Sequence, residues 1–74
     1  MKIVPFEQAM QGANEWIAQG ATVYQRFACE GCGNDTLGIE TPNVFYTTAT
    51  CDRCGYLTDL KKTGCNYLVV AKLG

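Results

Sequence analysis

Phe6, Met10, Ala13 and Trp16 or Ile17 recur at three- and four-residue steps, the period of one helical face, and predict an amphipathic helix over residues 5–19. Pro5 suits the first helical position, Glu7 the positive end of the helix dipole, and Gly20 a left-handed cap. Gly12 is an interior residue that weakens the pattern. A stripe of this kind packs onto a core; the sharper use of the same helix is to display Trp16 to a partner.

From Ala21 the period changes. Ala21 to Ala28 is rich in β-branched and aromatic residues and predicts a strand leading into a cysteine pair. Thr36 to Thr41 predicts a short strand, Thr41-Pro42-Asn43 a turn, and Val44 to Thr50 a stronger strand entering a second cysteine pair. Tyr56 to Leu60 leaves that pair, and Lys61-Lys62-Thr63-Gly64 turns the chain. Cys65 to Lys72 closes the sequence as a strand with apolar residues on both faces, which predicts cover on both sides. One helix followed by antiparallel strands is an α+β domain. The expected organisation is a single domain over 1–74, with a helix at about 5–19 packed on a ribbon of strands at about 21–73.

Composition sets the scale of the problem. Seventy-four residues, 47% of them hydrophobic and 18% charged, make a folded domain of a size that often supplements its core with a metal or disulfides. The start of the chain contains no apolar run of signal-peptide length, and no stretch approaches the roughly 20 apolar residues that span a bilayer. A cytoplasmic location follows as the expectation, where thiols stay reduced and paired Cys-x-x-Cys motifs bind metal. The odd count of five cysteines points the same way. The chain has neither histidine nor serine, so Ser-His and Cys-His catalysis in cis is excluded and an enzyme is not expected.

Cys29-x2-Cys32 and Cys51-x2-Cys54 have the spacing of one four-cysteine zinc site. Two cysteines three apart in a tight turn place both sulfurs about 2.3 Å from one metal, and two such turns complete a tetrahedron. Each pair is followed by glycine, Gly33 and Gly55, which tolerates positive φ and lets backbone N–H groups point at the sulfurs. A single zinc with all four positions filled by thiolate is closed and therefore structural. Iron in the same tetrahedral array is the chemical alternative. Thioredoxin-type dithiols are a weaker one, for want of a βαβ unit.

With these knuckles the sequence resembles the zinc-ribbon family, with its rubredoxin-type pairs at the tips of β-hairpins, over roughly residues 22–72. The resemblance implies Cys29, Cys32, Cys51 and Cys54 as ligands and Gly33 and Gly55 as knuckle glycines. The chain also looks like the short zinc-ribbon proteins of phages and prophages. Gly20-Ala21-Thr22-Val23-Tyr24-Gln25, Pro42-Asn43-Val44-Phe45-Tyr46 and the stretch from Thr58-Asp59 to Gly64-Cys65-Asn66-Tyr67 carry that likeness, which speaks to origin rather than activity. Cys65, outside the pairs, reads as a small buried hydrophobe.

Charge then bears on partners. Formal net charge is −1, and four thiolates on one divalent metal bring it to about −3, far from the basic footprint of a phosphate-binding module. Residues 1–50 hold Lys2 and Arg26 against Glu7, Glu15, Glu30, Asp35 and Glu40, a net −3. Residues 51–74 hold Arg53, Lys61, Lys62 and Lys72 against Asp52 and Asp59, a net +2. The leading expectation is a phage-type accessory or regulatory module that binds a host or viral protein through Trp16, Phe45 or Tyr46, with Arg53, Lys61 and Lys62 nearby. The alternatives are a nucleic-acid or transcription-associated ribbon using Arg53, Lys61, Lys62 and Lys72, and electron transfer through iron. Membrane association is not expected.

Overall fold

The computed structural model describes residues 3–34 and 37–70, with Leu37 described by its backbone alone. The elements are α1 (Phe6–Ala18), β1 (Thr22–Phe27), β2 (Leu37–Pro42), β3 (Thr48–Thr50), β4 (Leu57–Asp59), α2 (Leu60–Thr63) and β5 (Asn66–Val70). The architecture is α+β as the pattern predicts. The expected strand ends at Thr36, Ala71 and Lys72 lie outside the described residues.

α1 buries Phe6, Ala9 and Ala13, and the two alanines let the helix sit close to the sheet. Pro5 stands one residue earlier than expected, at the N-cap. At the other end Gly20 takes φ 90°; its N–H donates to Ile17 and that of Ala21 to Trp16. This is the paired hydrogen-bond pattern that ends a helix on a left-handed glycine.

β1 is the central strand of a three-stranded antiparallel sheet, between β2 and β5, and β3 pairs with β4 as a separate hairpin. Val23, Gln25 and Phe27 of β1 are buried, and face α1 with Leu60, Cys65 and Tyr67 in one core. Thr22 and Tyr24 pair with Val70 and Leu68 on the other face. Leu68 and Val70 are exposed, which corrects the expectation that the last strand is covered on both sides. Among the described residues no second layer lies over that face, so its apolar residues stay in water.

The strand expected at Val44–Thr50 is three residues long, Thr48–Thr50. Two side chains upstream take over the backbone pairing that a longer strand would need. Asn43 adopts φ 56°, and its amide oxygen accepts the Val23 N–H at 2.9 Å while its own N–H donates to the Val23 carbonyl at 2.7 Å. Gln25, fully buried, donates from Nε2 to the Tyr46 carbonyl at 2.8 Å and accepts the Tyr46 N–H on Oε1 at 2.9 Å. A glutamine thus does the work of a strand partner and pins the 43–47 loop to β1. Gln25→Leu preserves volume and leaves both Tyr46 groups unpaired, so it is expected to cost about 2 kcal/mol. Denaturant unfolding of the metal-loaded protein measures this, with metal content unchanged.

The Lys61–Gly64 turn is in fact the single helical turn of α2. The Asp59 carboxylate accepts the Lys61 N–H at 3.1 Å and caps it. Gly64 then reverses the chain at φ 85°, and Cys65 pairs with Val4 through two hydrogen bonds of 3.0 Å.

Candidate metal centre

Each cysteine pair closes an antiparallel hairpin, the first between β1 and β2 and the second between β3 and β4. The two turns are built alike. Cys29 N–H donates to the Asn34 carbonyl and Gly33 N–H to the Cys29 carbonyl. In the second turn Cys51 N–H donates to Tyr56 and Gly55 N–H to Cys51. Gly33 and Gly55 take φ 75° and 73°, which the curl of the chain beneath the sulfurs requires.

The four sulfurs lie within 4.8 Å of one another. Cys29 Sγ is 3.5 Å from Cys54 Sγ and Cys32 Sγ is 3.7 Å from Cys51 Sγ, so all four thiols are free rather than bridged. A tetrahedron with metal–sulfur bonds of about 2.3 Å has sulfur–sulfur edges of about 3.8 Å. The cluster therefore fits one tetrahedral ion of that size.

The electrostatics also call for a cation. The Cys32 N–H, at 3.5 Å, does most to hold the Cys29 thiol down at about 6, against burial and with help from the Cys54 sulfur and the Gly31 N–H at 3.3 Å. Cys51 is lowered in the same way, first by the Cys54 N–H and then by that of Arg53 at 3.4 Å. Cys54 goes the other way. The Tyr56 N–H favours its thiolate, but the Cys29 sulfur, burial and the Cys51 and Cys32 sulfurs together push it up to about 12. Sulfurs this close share too much negative charge to ionise together unless a cation sits among them.

Three residues of the centre were not singled out in the sequence. The Thr58 side chain is fully buried, and its hydroxyl accepts the Glu30 N–H at 3.4 Å, tying the first knuckle to β4. Gly31 lies flat against Tyr56: a Cβ at Gly31 would meet Tyr56 Cβ at 2.8 Å and Cγ at 2.9 Å. The sequence signal is slight, namely glycine at the place where the second knuckle carries Arg53. Gly31→Ala is expected to push the knuckles apart, weaken metal retention against a chelator about tenfold, and be partly rescued by Tyr56→Ala.

Of the aromatic residues proposed to meet a partner, Tyr46 is exposed in a cleft that reaches the second knuckle at Asp52 and also contains Leu57. Phe45 turns inward, its ring 5.5 Å from that of Tyr67 at 50°. Trp16 is exposed on α1 next to β5. Arg53 is exposed in the second knuckle, while Lys61 and Lys62 are exposed on α2, beyond roughly 10 Å of strand β4. Lys72 lies outside the described residues. Cys65 is fully buried, 3.8 Å from Gln25 Nε2, and burial raises its thiol.

Fold and site together define a helix-packed α+β ribbon with a four-cysteine metal centre. No protein family, no curated protein and no solved structure matches the chain. Among the described residues no helix is long and apolar enough to cross a membrane.

Proposed function

We propose that the chain is a non-catalytic zinc-ribbon module that acts by binding another protein, as a small accessory or regulatory factor of phage type working in the host cytoplasm. The observation that carries this reading is exposed apolar surface beside the metal centre, bordered by carboxylates. Tyr46 and Leu57 are 47% and 60% exposed there, with Glu40 and Asp52 in the same cleft. Large apolar groups in water beside negative charge suit a protein partner and repel a phosphate backbone.

Zinc is the proposed ion because four thiolates in a tetrahedron suit it. Once bound, it supplies cross-linking and charge neutralisation, and offers no open position for chemistry. Cys29, Cys32, Cys51 and Cys54 hold it, the knuckle N–H groups orient their sulfurs, and Gly31, Tyr56 and Thr58 hold the two knuckles together. Metal analysis checks the ion: a colourless, one-zinc protein is expected, and a coloured protein with a reversible redox wave would replace this reading with electron transfer. The partner is sought by crosslinking zinc-loaded protein in host lysate. Loss of the captured protein on Leu57→Asp is the expected result; capture of nothing specific counts against the module.

A further inference from the structure

Resting on that reading, we propose that the cleft between β2 and β3 binds an extended peptide that alternates β-branched and basic residues, added as a strand. The cleft encloses about 500 Å³. Phe27, Ile39 and Ala49 line it with apolar surface, and Glu40 and Asp52 are its charged residues. Among the described residues no cation lines it, so an apolar segment bearing lysine or arginine complements it and an acidic one does not.

The backbone supplies the second half of the argument. Among the described residues β2 is an edge of its sheet, and β3 pairs only with β4. Val23 uses its N–H and C=O toward Asn43, on the β2 side, so by strand alternation Phe27 also points toward β2 and pairs there with Leu37. Gly38, out of phase with Leu37 and opposite Arg26, therefore turns its N–H and C=O groups outward. In the hairpin, Leu60 N–H donates to Thr47 and Cys51 N–H to Tyr56, so the intervening Ala49 faces β4. Thr48 and Thr50 turn their backbone groups away from it. Gly38, Glu40, Thr48 and Thr50 all line the cleft. Two outward-turned strand edges thus border one apolar, acidic slot, the arrangement that strand addition uses: main-chain hydrogen bonds for affinity, alternate side chains for specificity. Beyond the register shift in β2, Pro42 lies opposite Tyr24, has no N–H to offer and ends the pairing surface.

The test is a ¹⁵N-NMR titration of the zinc-loaded protein with a blocked peptide of alternating valine and lysine, about eight residues long. Expected are shifted, exchange-protected amides at Gly38, Thr48 and Thr50, and a shifted amide at Glu40 in the cleft lining. Affinity should fall at least tenfold with the valine–glutamate peptide, with Glu40→Lys/Asp52→Lys, and with a peptide N-methylated at alternate residues. Undiminished binding of the N-methylated peptide would overturn strand addition. Shifts centred on Trp16, Asn66 and Val69, no binding at all, or equal shifts of the cleft amides by oligothymidylate would overturn the assignment of the cleft. If the double variant fails to fold, the amide map and the peptide controls still decide. A partner captured from lysate that Glu40→Lys/Asp52→Lys still binds fully would defeat the cleft while leaving the protein-binding module standing; no partner at all would defeat that module.

Discussion

Cys32→Ala is expected to abolish metal binding and unfold the protein, whereas Cys65→Ala leaves metal content unchanged. A structural zinc site contributes on the order of 10 kcal/mol, as much as the whole net stability of a typical domain, about 5–15 kcal/mol. The hydrophobic core of α1, β1, α2 and β5 does not include the cysteines of the two knuckles, so the metal is the main fastening at that end. Cys32 is itself exposed, and its loss removes little packing. The effect of Cys32→Ala is therefore a measure of coordination. Cys65 is fully buried, and removing its sulfur costs about 1 kcal/mol of packing. Metal stoichiometry and circular dichroism of the two variants check this; equal metal loss in both would sink the ligand assignment. Zinc uptake is also expected to release protons at pH 7, because Cys54, pushed up to about 12 in the metal-free cluster, must ionise to bind. Proton competition then makes metal affinity, and the stability that depends on it, fall as pH is lowered.

Gly64→Ala is the second large effect, with an expected loss of roughly 4 kcal/mol. Gly64 holds φ 85° and ψ 176°, a region almost closed to L side chains and costing about 1–3 kcal/mol. A Cβ there would also overlap the Val4 carbonyl, so the Val4–Cys65 bridge and its two hydrogen bonds must give way. Gly20→Ala is the control. Gly20 has φ 90° with open space where a Cβ would go, so it should lose only about 1 kcal/mol to conformation. Equal losses in the two variants, measured by denaturant unfolding with zinc bound, would show that Val4 exerts no steric effect.

These two glycines mark how far the sequence can be read. Gly20 announced itself, because a helix that ends needs a left-handed residue next to its last turn, and that requirement is local. Gly64 was legible as a turn, but its crowding against Val4 joins positions 60 residues apart. The same division runs through the strands. Thr22–Phe27 follows its local pattern, whereas Val44–Thr47, with equal β-propensity, is a loop because Asn43 and Gln25 capture its neighbourhood from a distance. Leu68 and Val70 have the composition of buried residues, yet whether a layer covers them is a property of the whole fold.

By itself, then, the sequence determined the amphipathic helix, the α+β class, and the cysteine quartet with its two glycines. Each of these is governed by spacing along the chain: a helical period, a turn, two sulfurs reaching one ion. Tertiary structure alone decided that Gln25 pins the 43–47 loop, that Gly31, Tyr56 and Thr58 brace the knuckles, and that Phe45 turns inward while Tyr46 stays in water. It also placed the outward-turned backbones of β2 and β3 along one acidic cleft. Those outcomes depend on which surfaces meet between segments well separated along the chain, and a hydrogen bond or a steric contact over such a separation leaves no periodic trace in the order of amino acids.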